Sequence, residues 1–350
     1  MSLSAIVPPK TDPTPIFELF RGSYATELIA ASIAHFKLFD RLAAQPLDFD
    51  TLRRQLGLAE RPAIVLLCAL RAMGFIVADA NGRLTLTPLA REHLTAASYF
   101  DVSDYVGLAA GSPGVREMIE RLTSNSPAGQ KPDEQGAAFI YREGLDSAME
   151  KEATARHFTL ALAGRAKNVA PLLAANVDLS IARLLVDVGG GTGIYSIACL
   201  QRNPRLKAIV WDRPEVLKVA AEMGAAYGVS DRLELVPGDM FTDAMPPGAD
   251  IVLLSNILHD WDRPQCQDLV ARCAASLAPG GRLLIHDVFL NDALDGPLSV
   301  ALYSAAVFSV TEGRAYSGAE YRQWLVAAGL DPSQIVPTLV HCGVLTGTKQ

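Results

Sequence analysis

The segment LLVDVGGGTG, residues 184–193, carries an apolar run into an acid and a cluster of glycines. Such a run reads as a parallel strand buried on both faces, and the glycines let the chain turn sharply into a helix whose first N–H groups face a ligand. Gly189, Gly191 and Gly193 are spaced G-x-G-x-G, with Ile194 where a dinucleotide fingerprint has its last glycine. That spacing favours S-adenosylmethionine over a nicotinamide dinucleotide, with Asp187, Gly189 and Gly191 as candidate cofactor-binding residues. Asp212 closes a second run, KAIVWD, about twenty residues further on, where a carboxylate can accept from ribose hydroxyls. Asp239 and Met240 end a third, RLELVPGDMF, and suit the adenine amine and the adenine face. Each acid taken singly is as readily a helix cap or a turn residue. Their order at three successive strand ends is what points to a nucleoside.

A fourth run, ADIVLLSN, leads into ILHDWDRP, so His259 falls just past a strand's carboxyl end, the side on which open α/β sheets bind ligands. An imidazole titrating near 6.5 suits proton removal at neutral pH. A solvated loop histidine is the plainer alternative, and its place beside the cofactor turn favours catalysis. Asp260 and Trp261 are expected to shape the loop. A fifth run, RLLIHDVFL, brings His286 and Asp287 to the same edge: His286 reads as a core or edge histidine, and Asp287 as a carboxylate able to orient or polarise His259.

These strand ends need a sheet to align them, and the 350-residue chain has room for one plus a second domain. Half of the residues are hydrophobic, which excludes a disordered chain, and 31 Lys and Arg against 38 Asp and Glu give a net charge of −7, which argues against gripping phosphate backbones. Cys68, Cys199, Cys266, Cys273 and Cys342 are scattered and odd in number, so they read as reduced core thiols, with no metal site expected. With no leader pattern and no membrane-length apolar run, a cytoplasmic protein without membrane partners is expected.

Ahead of the sheet, residues 14–44 read as one helix. Helices over 50–56 and 61–72 precede FIVADANGRLTLT, whose Asn81-Gly82 pair signals a hairpin. Helix, helix and hairpin suggest a winged helix. Between residues 40 and 95, however, seven Arg face six acids and RPAIVLLCALRAMG is mostly apolar, so nucleic acid is not an expected partner. Residues 95–182 look helical, with a flexible stretch expected over 124–136 and a helix from about Met149 to Ala175, kinked at Pro171.

DVGGGTG, WDRPEV, PGDMF, LHDWD, GGRLLIHDVFL and SGAEYRQWLVAAGL, in this order over nearly the whole chain, resemble the small-molecule O-methyltransferases that include plant caffeate-type and bacterial polyketide-tailoring enzymes. The resemblance implies an α/β Rossmann-like methyltransferase domain ending in an antiparallel hairpin, preceded by a mainly helical, winged-helix-like dimerisation domain. The expected division is 1–95 for dimerisation, 96–182 for the linker and substrate pocket, and 183–350 for catalysis. The resemblance also implies contacts to S-adenosyl-L-methionine at Gly189, Asp212, Asp239, Met240 and Ser255, with His259 as general base. Ser255 replaces a lysine of the plant members. Of two acids that flank their base, Asp287 occupies the first position and Ala315 the second, with Glu312 three residues earlier as the candidate substitute.

The expectation is therefore a homodimeric methyltransferase acting on a hydroxyl, phenolic in character, of an aromatic or polyketide-like molecule and releasing S-adenosyl-L-homocysteine. Helix 14–44 and the apolar run 301–310 are the expected dimer contacts. Phe158, Leu162, Tyr303, Val307 and Phe308 are candidate pocket walls, with core or dimer contacts as the alternative. Two other readings stand beside it. One is a relative that keeps the cofactor but has drifted to hydroxylation or decarboxylation, which an intact His259 disfavours. The other is a winged-helix regulator responding to a small ligand, which the apolar second helix and the net acidity disfavour.

Overall fold

The computed structural model of the chain describes residues 3–126 and 152–350. They form two compact units, one of residues 16–126 with 290–317, the other of residues 3–15, 152–289 and 318–350. This differs from a division into three consecutive stretches, because 290–317 leaves the sheet-bearing part of the chain to join the helical one. Most of the stretch 124–136, and the start of the helix expected from Met149, lie outside the described residues.

In the helical unit, the span 14–44 is three helices, Thr14–Arg21, Ser23–Ala34 and Leu38–Ala44. Lys37 takes φ 48°, which a continuous right-handed helix does not allow. The break turns Leu28, Ile33, Leu38 and Leu42 into the core while Ile16, Leu19 and Phe20 stay exposed. Asp48 caps the helix Phe49–Leu56 by accepting from the Thr51 N–H at 2.8 Å. In the helix Glu60–Ala72 every residue from Pro62 to Leu70 is buried, so it has no outward face for a groove. Strands β1 (Ile76–Ala78) and β2 (Leu84–Leu86) form the hairpin around Asn81-Gly82. The apolar run 301–310 lies largely in the helix Leu298–Phe308, which packs on Glu60–Ala72 in the same unit, and Val300, Ala301, Leu302, Ala305, Val307 and Phe308 are buried. Its hydrophobicity is absorbed there.

The other unit carries an eight-stranded sheet built from β3 (Leu184–Val188), β4 (Lys207–Asp212), β5 (Leu233–Pro237), β6 (Ile251–Ser255), β7 (Arg282–Val288), β8 (Leu330–Pro332), β9 (Val336–Pro337) and β10 (Cys342–Lys349). Its order is β5-β4-β3-β6-β7-β10-β8, with β9 beside β10. The first five strands are parallel, and β10 runs antiparallel to β7, pairing His286 with Val344 and Asp287 with Gly343. The Rossmann-like sheet with its antiparallel ending is as expected. Central strands buried on both faces explain their nearly uninterrupted apolar sequences. The helix Glu152–Asn176, which contains Pro171, packs on the helix Ile194–Arg202 that follows the glycine turn. All five cysteines are buried and none is in a disulfide. No described helix is long and apolar enough to cross a membrane.

Candidate active site

The strand order places β3 between β4 and β6, and the carboxyl ends of these strands assemble the site. At the end of β3 the chain turns through Gly189 with φ 64°. That φ favours glycine, and a Cβ there would stand 2.6 Å from Ile257 Cδ1, so the Ile257 side chain would have to shift. Gly191, at φ 60°, differs: a Cβ would meet nothing within 4 Å, so its backbone lines open space. The Gly191 N–H donates to Asp212 Oδ2 at 2.8 Å, and the Arg213 N–H donates to Asp212 Oδ1 at 2.7 Å. A carboxylate offers about four acceptor positions, so Asp212 is oriented by the backbone with capacity left for hydroxyls. Burial raises its affinity for a proton against these two bonds.

Asp187 is fully buried. Its Oδ2 accepts from Ser196 Oγ at 2.7 Å, whereas Oδ1 has no hydrogen-bond partner among the described residues. Burial pushes its carboxyl up to about 7. At the end of β5, Asp239 Oδ1 accepts from the N–H groups of Phe241 and Thr242, so the turn role is real and leaves Oδ2 for a ligand. Met240 is half-buried beside it. The glycine turn, the oriented acid at 212 and the part-used acid at 239 suit an adenosyl group. Ser255 is engaged otherwise, its Oγ lying 2.8 Å from His286 Nδ1 and accepting from Asn256 Nδ2 at 3.2 Å. His286 is wholly buried and held down to about 3 by burial, with the Arg165 charge adding to it, so it stays neutral as a core residue.

Past β6, Asn256 takes φ 57° and the chain enters a short 3-10 turn, Leu258–Asp260. The turn is pinned on its far side. Cys266 Sγ donates to Leu258 O at 3.0 Å, Asp262 caps the helix Arg263–Ser276, and Trp261 meets Phe241 edge-on at 4.7 Å. His259 is buried there, with Nδ1 at 2.6 Å from Asp287 Oδ1. Asp287 is held twice more, since its Oδ1 accepts from the Val288 N–H at 2.8 Å and its Oδ2 from Tyr321 OH at 3.1 Å. Burial would favour the neutral acid. The His259 charge and hydrogen bond and the Val288 N–H outweigh it, and the carboxyl lies below its usual range. An ionised Asp287 fixes the proton on Nδ1 and puts the lone pair of a neutral His259 on Nε2. For His259 itself, burial lowers the pKa, but the charges of Asp287 and Asp260 and the Asp287 bond carry it above 6.5.

Three contributors were not identified as partners in the sequence. Tyr321 sits inside SGAEYRQW, where nothing in its spacing marks it. Arg165 is one of two cations, with Lys167, amid the otherwise apolar LALAGRAKNVAPLLA, which was a usable signal. Its guanidinium donates to Asn256 Oδ1 and Cys342 Sγ, each at 2.8 Å. Asp260, expected only to shape the loop, lies 3.6 Å from His259 Nε2.

The remaining candidates divide between the units. Phe158 is half-buried and Leu162 exposed on the helix Glu152–Asn176. Tyr303, Val307, Phe308, Glu312 and Ala315 belong to the helical unit. There Arg21 stacks over Tyr303 at 4.0 Å and Arg61 over Phe308 at 4.5 Å, and Val307 and Phe308 are buried. Ala315 is buried with its N–H on Ser304 Oγ at 3.1 Å, and Glu312 is half-buried.

A family model describing the O-methyltransferase domain matches residues 135–331. Among curated relatives, the chain is 35% identical over 328 residues to 3-hydroxy-5-methyl-1-naphthoate 3-O-methyltransferase of Streptomyces sahachiroi, covering 93% of this chain and 92% of that one. It is 29% identical to the L-tyrosine C(3)-methyltransferase of Streptomyces lavendulae, over 94% and 90% of the two chains. Among solved structures, an O-methyltransferase family 2 protein from Planctomyces limnophilus in complex with apigenin aligns with TM-score 0.90 and 48% identity, covering 100% of this chain and 99% of that one. Human N-acetylserotonin methyltransferase in complex with SAM shares the fold, with TM-score 0.58 at 22% identity over 98% and 99% of the chains. With the glycine turn and its acids in place, the chain belongs to the O-methyltransferase family and is an S-adenosyl-L-methionine-dependent O-methyltransferase.

Proposed function

We propose that the chain methylates a phenolic hydroxyl of an aromatic or polyketide-like small molecule, with His259 as general base. The observation that carries this reading is the 2.6 Å contact of His259 Nδ1 with an ionised, doubly held Asp287. S-adenosyl-L-methionine supplies a methyl group already activated by its sulfonium. The chain's own work is to hold the acceptor in line and to remove its proton. A phenol with a pKa near 10 is a poor nucleophile at pH 7 until a base accepts its proton. His259 Nε2 has the lone pair for this, and Asp287 stabilises the imidazolium that results. Glycines 189 and 191 with Asp187, Asp212, Asp239 and Met240 hold the cofactor. Phe158 and Leu162 are read as acceptor contacts on the sheet-bearing unit, and Tyr303, Val307 and Phe308 as candidates on the helical unit.

Names of relatives support the substrate class, since one acts on a hydroxynaphthoate and a solved relative is in complex with apigenin. We further read residues 1–95 as the dimerisation part of a cytoplasmic homodimer. The test is His259→Ala, assayed with labelled S-adenosyl-L-methionine against a panel of phenols, naphthoates and flavones. Calorimetric affinity for the cofactor is expected to stay close to wild type while transfer falls about 10²- to 10⁴-fold. The deficit should narrow at high pH, where the phenol ionises unaided. Transfer at the wild-type rate near neutrality would remove His259 as the base.

A further inference from the structure

Beside the proposed base stands a buried acid with no assigned task. The Asp260 side chain is 12% exposed against 5% for His259, and its Oδ1 lies 3.6 Å from His259 Nε2. Among the described residues no hydrogen bond reaches its carboxyl. The charged groups that face it are His259 on its own turn, Asp287 on β7 and Arg165 on the helix Glu152–Asn176. His259 therefore stands between two carboxylates, one bonded to Nδ1 and the other opposite Nε2.

We propose that Asp260 acts through His259 as a proton relay, receiving from Nε2 the proton that the base takes from the acceptor and passing it to solvent. The proposal rests on His259 being the base. Nδ1 is committed to Asp287, so a proton gained at Nε2 must also leave from Nε2. The imidazole is nearly closed off, and the more open Asp260 lies next to that atom. At 3.6 Å the pair is an ion-pair contact, longer than a hydrogen bond. The relay requires that distance to shorten to hydrogen-bond length once Nε2 carries the proton. Burial pushes the Asp260 carboxyl up to about 7, against the pull of the His259 charge, and His259 itself lies above 6.5. A carboxyl raised to that range accepts a proton from an imidazolium with a smaller uphill step than an ordinary carboxylate near 4 would.

The acceptor O–H proton moves to Nε2 while the oxygen forms its bond to the methyl carbon and the carbon–sulfur bond breaks, leaving a neutral thioether. The Nε2–H proton then moves to Asp260 Oδ1, giving neutral imidazole and a carboxylic acid. That acid ionises to water and restores the starting charges.

The test compares Asp260→Asn, Asp260→Ala and Asp260→Glu in the full chain. The imidazole of His259, identified among the six histidines as the NMR signal missing in His259→Ala, is titrated in each. Removing the carboxylate in Asp260→Asn is expected to lower its pKa by about one unit, a tenfold loss of proton affinity. The acid limb of kcat/KM should move down with it, and kcat should fall by about tenfold or more with the KM for S-adenosyl-L-methionine unchanged. Asp260→Glu should recover the titration and part of the turnover, and added imidazole buffer should restore kcat to Asp260→Ala in proportion to its concentration. An unmoved His259 titration in Asp260→Asn, or an Asp260→Ala deficit indifferent to buffer, overturns the relay. Those results leave His259 as the base, whereas a fully active His259→Ala removes the base and the relay together.

Discussion

Asp187 is a carboxylate whose surroundings oppose its charge, since one oxygen is bonded to Ser196 and the other is buried with no partner among the described residues. In the unfolded chain it ionises near 4, whereas burial holds the native group protonated to about 7. Between those values the native state binds more protons than the unfolded one, so this group makes stability fall as pH rises, with its full cost in place above pH 7. Asp187→Asn keeps the shape and an acceptor for Ser196 while removing the charge. Urea melts of the two proteins without cofactor should show the variant gaining stability relative to wild type from pH 4.5 to 8, most of it before pH 7. A difference that does not change with pH would mean that Asp187 is ionised throughout or solvated. The same variant should bind S-adenosyl-L-methionine more weakly if the open oxygen faces the cofactor. At this scale the sequence was legible where a residue ends an apolar run, as Asp187, Asp212, His259 and Asp287 do. It did not mark Tyr321 and gave Asp260 only a part in shaping the loop, because what stands within reach of each is set by long-range packing.

Glycine turn and strands behave as one element, because the Gly191 N–H that orients Asp212 is placed by the turn at Gly189. Gly189→Ala would impose a left-handed φ on a Cβ-bearing residue and drive that Cβ into Ile257. Strain of this kind costs about 1 to 3 kcal/mol, enough to weaken cofactor binding by roughly 5- to 150-fold if the turn relaxes by moving. Calorimetry with S-adenosyl-L-homocysteine reads this directly. Wild-type affinity in Gly189→Ala would show that Ile257 yields and that the turn does not depend on this glycine. The strands themselves were readable, since continuous apolar runs bounded by turn residues leave little choice. The helices were less so. Residues 14–44 keep a helical spacing throughout, yet the chain breaks at Lys37 and beyond Arg21, because apolar spacing reports which faces are greasy and not where a core is available to cover them.

At the scale of the whole molecule, the sequence carried the fold class but not the way the chain is shared between units. The helix Leu298–Phe308 is apolar on nearly every side and reads the same whichever core receives it. In the structure it joins the helical unit and consumes the surface that sequence reading reserved for a partner. Leu298 and Val310 stay partly uncovered there, but the most exposed apolar residues of that unit lie elsewhere. Leu19 is 83% exposed in company with Ile16 and Phe20, and Tyr99 is 94% exposed near Phe100, Tyr105 and Leu108. Scattered exposed apolar residues are ordinary, but clusters of large ones mark contact surfaces. These residues, and not the 301–310 run, are therefore the expected contacts of the proposed homodimer. Stable interfaces between identical chains commonly bury more than about 2,000 Å² and are apolar at their centre, so charge placed there should be poorly tolerated. Light scattering at micromolar concentration should return twice the 37.4 kDa chain mass. The pair Leu19→Asp and Phe20→Asp, on side chains that contribute little to the unit's own core, should shift the protein toward monomer with an unchanged circular dichroism spectrum. A wild-type chain that remains a 37.4 kDa monomer under these conditions would mean that the exposed aromatic and aliphatic residues serve some other contact, and the homodimer reading would fall.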